Sequence, residues 1–238
     1  MKYFKFTQIS AETGVSWAIA QPVSGPSYPD LSGLDLSTVV QLAHSPIYYL
    51  GMVADNVVAD PDNHTFQLTA AEYAQELKQH VMYQLDKEKD SIYQEEYNFR
   101  SSIFSKYHDT ASTAGIYKYE QAKALVADST AAAPDVRAEA TARGVEPGVM
   151  AARIITNHED FRTKEAKIAG IRGKVLDRIG AYVFDLDNAD ASYTEFLTEE
   201  VIGTATRNEM EDGNMVEKVV DIKVRKYQLS LGARFQHG

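Results

Sequence analysis

The densest group of potential metal ligands is the acidic segment Asp185–Asp190, which reads Asp-Leu-Asp-Asn-Ala-Asp. Carboxylate and amide oxygens are the ligands that Ca²⁺ prefers, and an EF-hand loop places Gly at its sixth position and Glu at its twelfth. A loop beginning at Asp185 has Asp190 and Phe196 at those positions. The spacing fails, and we interpret the segment as an acidic surface turn.

Other reactive residue types form no complete pattern either. The six histidines include no HxH or HExxH pair, which would be the local signature of a zinc site. The chain has no Cys, which excludes thiolate ligands and cysteine nucleophiles. Gly170–Lys174 has neither the glycine spacing nor the following Ser or Thr of a phosphate-binding loop. We therefore expect no catalytic, cofactor-binding or metal-binding residues.

Two carboxylate groupings keep an enzymatic alternative open. His158 is followed by Glu159 and Asp160, but neighbours on a helix point to different faces, and basic residues nearby favour a mixed, solvated face. Asp60 and Asp62 could form a carboxylate pair of the kind that cleaves glycosidic bonds. Nothing in the sequence indicates a cleft around them, so our first expectation is that the protein is not an enzyme.

Charge is distributed unevenly along the 238 residues. The whole chain has 24 basic and 34 acidic residues, for a formal net charge of −10. Residues 1–68 carry 2 basic and 6 acidic groups, residues 69–182 carry 16 and 17, and residues 183–238 carry 6 and 11. The middle region is typical of solvated helices, and no basic stripe is available to neutralise phosphates. We expect no nucleic-acid partner.

The sequence also gives no sign of membrane association. Met1–Gln8 contains a lysine where a signal peptide would need an apolar core. The charge-free run Leu36–Ala54 is long enough to span a bilayer, but it contains several polar residues and a proline. We expect a soluble protein whose residues 36–54 form a buried segment interrupted by a turn.

Residues 1–68 have the pattern of β structure. Phe4 and Phe6 alternate with polar residues, a turn follows at Ser10–Gly14, and a second alternating run includes Trp17. These features predict an N-terminal hairpin, followed by a loop rich in Pro, Gly and Ser.

Residues 69–182 have the pattern of long helices. Thr69 and Glu72 form a capping box, and the sequence from there to about Lys106 has no Gly or Pro. Pro134 and Gly144 bound a short helix, a second short helix is expected at 119–128, and Pro147 opens another long one. The last part of the first long helix and the whole of the second have an apolar residue at every seventh position, which predicts a coiled-coil-like hairpin.

The heptad positions are the candidate interface. Gly170 and Gly173 lie inside the second long helix, where each costs roughly 1 kcal/mol relative to Ala, so we expect a closely packed partner helix there. The expected interface residues, which would pack together or against other copies of the chain, are Leu85, Ile92, Phe99, Ile154, Phe161, Ile168, Gly170, Gly173 and Val175.

Residues 183–238 return to β structure. A short helix is expected over 193–200, and Asp212-Gly213 is a hairpin turn signal. Val220, Ile222 and Val224 alternate on one face, and Tyr227, Leu229 and Leu231 continue with the other parity, which predicts a bulge near Arg225. The predicted fold is α+β and elongated, with β-rich segments at 1–68 and 183–238 joined by the helical hairpin of 69–182.

Part of the sequence resembles a module of tailed-bacteriophage tail proteins. The residues that carry the resemblance are Tyr119–Leu125, the Ala-rich stretch Pro134–Gly144, Val149–Ile155 and Ile168–Arg172. In that family a helix and a short Ala-rich helix ending in A-x-x-R-G precede a long helix. Phe6–Gly14 is also similar to the opening hairpin of such proteins.

The resemblance implies a structural virion component, in the baseplate or fibre-attachment part of the tail, assembled in the host cytoplasm. The partners it implies are other phage tail proteins and further copies of this chain, with no cofactor, nucleic acid or membrane. An assembly chaperone for tail fibres, absent from the finished particle, is the alternative. The family supplies no catalytic residues to carry over.

Overall fold

The computed structural model describes residues 1–7, 34–45, 47–107, 110, 112–211 and 214–237. The protein is a mixed α and β structure, 58% helical and 23% strand, with small antiparallel sheets and six helices among the described residues. It divides into two compact units, each assembled from three separate stretches of the chain. Unit 1 comprises 1–89, 179–199 and 225–227, and unit 2 comprises 90–178, 200–224 and 228–238.

Unit 1 contains a four-stranded antiparallel sheet in the order β2-β3-β1-β4. The strands are β1 (Lys2–Thr7), β2 (Asp35–Gln41), β3 (Tyr48–Val53) and β4 (Thr65–Leu68), with a 3₁₀ turn at Pro61–Asn63 before β4. Phe4 and Phe6 are fully buried and pack with Tyr49 and Val53, which confirms the alternation read from the sequence. The expected second hairpin strand around Trp17 lies outside the described residues.

The first long helix, α1 (Ala70–Phe104), begins at the expected capping box. The Thr69 backbone N–H donates to the Glu72 carboxylate at 2.8 Å, and the Glu72 N–H donates to the Thr69 hydroxyl at 3.2 Å. The hydrogen bond from the Thr69 backbone lowers the pKa of Glu72, with the Thr69 hydroxyl contributing further. A 3₁₀ turn follows at Ser105–Tyr107.

Three further helices form a small helical core in unit 2. They are α2 (Thr113–Ala127), α3 (Pro134–Arg143) and α4 (Pro147–Ala181), whose first 32 residues belong to this unit. The helix α3 starts at Pro134 as expected and ends at Gly144, whose φ of +64° lets its N–H reach the carbonyls of the last turn. The core residues are Ala122, Leu125, Ala133, Val136, Ala140, Met150 and Ala151.

The C-terminal segment differs from the sequence-based prediction. Helix α5 (Ala189–Leu197) is present, and strands β5 (Glu199–Glu211) and β6 (Asn214–Arg225) form a two-stranded sheet whose intervening residues 212–213 lie outside the described part. The expected strand through Leu229 and Leu231 is wrong. The chain turns after Arg225 and forms helix α6 (Leu231–His237), because these two leucines are fully buried against neighbours rather than alternating along a strand.

The division at residues 68 and 182 describes the order of elements along the chain but not its compact units. Both long helices lie between those two boundaries, and each of them contributes residues to both units. A long coiled-coil hairpin is not confirmed. Within unit 2, ion pairs and aromatic contacts join residues 93–107 to residues 160–172 of the second long helix.

The closely packed partner helix expected at Gly170 and Gly173 is not present within the described chain. A Cβ built at either glycine would meet no described atom within 4 Å. Gly170 is exposed and Gly173 half-buried. The two glycines are therefore tolerated within the chain without a packing reason, and a contact there from another chain stays a prediction.

These glycines give a direct test of helix α4. Gly170→Ala and Gly173→Ala should each raise the free energy of unfolding by about 1 kcal/mol, because alanine restricts the unfolded chain and meets open space in the helix. Gly144→Ala should lower it by about 1 kcal/mol, because its positive φ is strained for a residue with a Cβ. Urea unfolding of the three variants measures both signs, and a destabilised Gly170→Ala would mean that the space is occupied.

Candidate assembly interface

Most of the expected interface residues are already covered inside the single chain. Four of them are at most 1% exposed: Leu85, Ile92, Ile168 and Val175. Phe99, Ile154 and Phe161 are half-buried. Leu85 belongs to unit 1 and the others belong to unit 2.

The partners of the half-buried residues lie within unit 2. Phe161 on α4 packs edge-on against Phe104 of α1, with ring centroids 5.1 Å apart, and lies 5.9 Å from the ring of Tyr107. Phe99 packs edge-on against Phe235 of α6 at 5.2 Å. Ile154 packs against the helical core around Met150. The phenylalanines of the heptads thus pair with residues outside the expected seam.

A buried carboxylate lies beside these contacts. Glu96 on α1 is 5% exposed and accepts hydrogen bonds from Arg100 on the same helix and Arg172 on α4, both at 2.7 Å. Arg100 also pairs with Glu165 of α4. Burial pushes the pKa of Glu96 upward, but the hydrogen bonds and charges of the two arginines outweigh it, so the pKa is lowered and the carboxylate stays ionised.

Beyond Glu96 and its arginines, a polar contact joins the 3₁₀ turn that follows α1 to α4. The Tyr107 hydroxyl donates to the Asp160 carboxylate. The ammonium group of Lys164, one turn further along α4, lies 2.6 Å from the Tyr107 hydroxyl oxygen and 2.7 Å from Asp160. Asp160 therefore has a structural role and is not available as the carboxylate partner of a catalytic histidine.

The C-terminal helix α6 is held to unit 2 by charged and backbone contacts. Arg234 is 5% exposed, donates to the Leu229 carbonyl at 2.8 Å and pairs with Glu200, which also pairs with Arg178. Burial raises the pKa of Glu200, but the two arginines more than reverse this effect and hold it at about 2. Glu95 accepts the Leu231 N–H at 2.6 Å.

Burial of Glu96 was not predicted from the sequence, although the sequence contains a pattern that indicates it. Glu96 lies four residues after Ile92, and Arg172 lies four residues after Ile168, so both charged residues occupy positions on the apolar faces of their helices. A charge at such a position on each helix indicates a buried ion pair. Arg234 gave no comparable signal, because the helix that presents it was not predicted.

The histidine at 158 is buried, which corrects the expected solvated face. His158 is 9% exposed and stacks on Tyr119 of α2, with centroids 3.9 Å apart and ring planes 15° apart. Burial lowers its pKa, and the positive charge of Arg162 adds to this. Its Nδ1 is buried without a hydrogen bond to any described residue. The ring therefore packs α2 against α4 mainly by stacking.

The two carboxylates considered for an enzyme, Asp60 and Asp62, occupy different structural settings. Asp60 forms a two-way backbone bridge with Thr65, and Asp62 lies exposed in the 3₁₀ turn between them. Nowhere in the described residues do three or more His, Asp or Glu side chains come together as a metal ion would require.

Several exposed apolar side chains lie on the two-stranded sheet β5–β6, which we call the ribbon and which belongs mostly to unit 2. Along β6, Val220 and Ile222 are half-buried and Val224 is 8% exposed, whereas Val219, just before them, is 73% exposed. The ribbon thus has one covered face and one open face. Its other exposed apolar residues are Val201, Met210, Met215 and Val216.

No family model, curated protein or solved structure matches this sequence or its fold. Across the described residues, none of the helices joins sufficient length to sufficient apolar character for a bilayer span.

A buried histidine in unit 1 gives a pH-dependent prediction. His80 is 5% exposed, and its Nδ1 accepts the Ala43 N–H at 2.9 Å. Burial lowers its pKa to about 4, and the nearby His44 adds to the shift. Between pH 6.5 and 4 the unfolded chain binds more protons at this site than the folded chain. The free energy of unfolding should therefore fall by about 3 kcal/mol as the pH falls through that window.

The His80→Asn variant, which keeps an acceptor near the Nδ1 position, should lose that part of the pH dependence in urea unfolding between pH 7 and pH 4. His64→Asn is the matched control, since His64 is exposed with a φ of 53° that asparagine adopts readily. Equal pH dependence in all three proteins would show that His80 titrates normally.

Proposed function

We propose that this chain is a structural component of a tailed-bacteriophage virion, in the baseplate or fibre-attachment part of the tail. In this proposal it acts through protein–protein contacts with other tail proteins and with copies of itself, and it is not an enzyme. It needs no cofactor, and neither nucleic acid nor membrane is a partner. The observation that carries the proposal is the ribbon, a two-stranded sheet with exposed apolar side chains.

The ribbon is a two-stranded sheet whose outer edges are unpaired among the described residues. Two strands alone are marginally stable in water, and here each described strand has a neighbour on one side only. Unpaired strand edges and clustered exposed apolar residues mark sites where another chain adds. Assembly would pair these edges and cover Val219 and its exposed neighbours.

The charges of the two strands favour a second copy of this chain as the added partner. Strand β5 contains four acidic residues and one basic residue, whereas β6 contains two acidic and three basic. Glu200 and Glu209 of β5 already pair within the chain, so the remaining charges of the two strands would carry a contact between the β5 edge of one copy and the β6 edge of the next. Such a head-to-tail contact uses two different surfaces and generates rings or filaments, which are the forms of assembly that a tail requires.

The helical core supports the phage part of the proposal. The stretches that resemble phage tail modules fall largely on α2, α3 and α4, and they contain six of the seven buried residues of the helical core. We also propose that α1 and α4 pack together as a coiled-coil-like hairpin in an elongated subunit. Gly170 and Gly173 would then meet a helix of a neighbouring subunit.

An assembly chaperone for tail fibres is the second candidate. The observation that favours it is the excess of acidic residues at both ends, with 6 acidic against 2 basic residues in 1–68 and 11 against 6 in 183–238. An acidic, extended protein can shield partner surfaces before assembly. The two candidates differ in one property, which is whether the chain remains in the finished particle.

Quantitative peptide mass spectrometry on gradient-purified particles separates them, with a capsid protein as the copy-number standard. The proposal predicts peptides of this chain at a fixed stoichiometric ratio. Peptides in the infected-cell lysate but not in the particles would favour the chaperone, and absence from both would contradict both candidates.

A pair of variants tests the ribbon itself. Val219→Asp places a charge on the open face and should abolish self-association in light scattering, since it would bury an unpaired charge in the assembly. Val58→Asp is the control, because Val58 is 78% exposed in a loop of unit 1. Both variants should unfold within about 0.5 kcal/mol of the parent chain. Self-association by Val219→Asp at the level of the control would contradict the role of the ribbon.

A further inference from the structure

The connection from β2 to β3 in unit 1 begins at residues 42–45, which we call the β2–β3 turn. Backbone hydrogen bonds close it on itself. The Ser45 N–H donates to the Leu42 carbonyl at 3.2 Å, and the Leu42 N–H donates to the Tyr48 carbonyl at 2.9 Å. These bonds do not involve α1, so the turn keeps its own closure independently of that helix.

Two side chains of α1 contact this turn. The Ala43 N–H donates to Nδ1 of His80 at 2.9 Å. Nε2 of His44 lies 3.2 Å from the carboxylate of Glu76, which is one helical turn before His80. Residues four apart lie on the same face of a helix, so Glu76 and His80 present one surface of α1 to the turn.

The hydrogen bond from Ala43 determines which nitrogen of His80 carries a proton. A ring nitrogen that accepts from a backbone N–H is unprotonated, so the neutral ring has its proton on Nε2. A second proton has to bind Nδ1, the atom that faces Ala43. Two N–H donors would then face each other, and the hydrogen bond would be lost. Protonation of His80 is therefore incompatible with attachment of the turn.

The surrounding charges offer a protonated His80 no partner. The ionisable groups of this cluster come from several elements and are Lys5 of β1, His44 of the turn, Tyr48 of β3, Glu76 of α1, Tyr193 of α5 and Arg225 at the end of β6. The two carboxylate oxygens of Glu76 already contact Lys5 at 2.5 Å and His44 at 3.2 Å. Tyr193 meets the His80 ring edge-on, with centroids 5.9 Å apart. Since His80 is 5% exposed, its positive charge would be buried without a counter-charge.

From this geometry we propose that the β2–β3 turn is an acid-sensitive contact: protonation of His80 at Nδ1 detaches the turn from α1 while the four-stranded sheet stays folded. Detachment opens Nδ1 of His80 to water, where it accepts the proton. It also hydrates Nδ1 of His44, which is buried without a hydrogen bond to any described residue while the turn is attached. The connection between β2 and β3 thus responds to acid before the sheet does.

The pKa of His80 sets the size of the effect. Burial lowers this pKa to about 4 in the attached state, and His44 adds to the shift, whereas a histidine in water has a pKa of about 6.5. The detached state therefore binds more protons between pH 6.5 and pH 4, and acid favours detachment by at most about 300-fold. Between pH 7 and pH 5 the same pKa values give a shift of about twentyfold.

Amide hydrogen exchange of the full-length chain, followed by NMR, tests both parts of this proposal. The protection factor of the Ala43 amide should fall about twentyfold from pH 7 to pH 5. At both pH values it should be at least tenfold below that of Leu50, which lies on β3 between β1 and β2, because the turn opens without the sheet. A fall of less than fivefold, or equal protection of the two amides, would overturn the proposal.

Two variants identify the residue that titrates. His80→Asn keeps an acceptor near the Nδ1 position but binds no proton, so the protection of Ala43 should change less than threefold between pH 7 and pH 5. His44→Gln keeps a donor for Glu76 and leaves His80 in place, so the fall should stay above fivefold. Loss of the pH dependence in His44→Gln, or its persistence in His80→Asn, would assign it to another group and overturn the proposal. The measurement on the parent chain needs neither variant to fold.

Discussion

The packing of unit 2 depends on one buried carboxylate, whose negative charge has to be balanced by cationic side chains inside the unit. Glu96 is removed from water on the apolar face of α1, and an ionised carboxylate in that position is tolerated only with good hydrogen-bonding partners. Arg100 and Arg172 supply them, and Arg172 comes from α4, so satisfying Glu96 fixes the position of one helix against the other. Glu200 is a second such carboxylate. It pairs with Arg178 and with Arg234 of α6, and these ion pairs hold α6 to the rest of unit 2.

This internal arrangement decides which surfaces remain for assembly. Residues such as Ile92 and Ile168, expected from their spacing to pack together or against other copies, are covered within the chain and contribute to its stability. The ribbon keeps exposed apolar residues, and our functional proposal places contacts between copies there. A phage tail component needs both properties: a subunit that folds by itself and edges that pair only with neighbours.

The sequence predicted those elements whose ends and faces are set by local chemistry. The capping box at Thr69, the proline and glycine that bound α3, and the proline that opens α4 all lie where the structure has them. Helix α6 was mistaken for a strand because Tyr227, Leu229 and Leu231 alternate, and only tertiary burial decides that the chain turns there. The partners of Glu96 and the stacking of His158 on Tyr119 depend on residues far apart in sequence, so spacing along one helix could not predict them. Of the candidate interface, the sequence identified apolar faces correctly but could not tell internal packing from contact between chains.

The most direct test of the account is a double-mutant cycle at Glu96 and Arg172, using Glu96→Gln, Arg172→Gln and the double variant in urea unfolding at pH 7. The account predicts a coupling of about 1–3 kcal/mol, since each single variant leaves the other group without its charged partner inside the unit. The exposed pair Glu120 and Lys123, one turn apart on α2, is the matched control and should show a coupling below about 0.5 kcal/mol. A coupling at Glu96 and Arg172 no larger than that of the exposed pair would contradict the claim that this buried carboxylate holds the unit together.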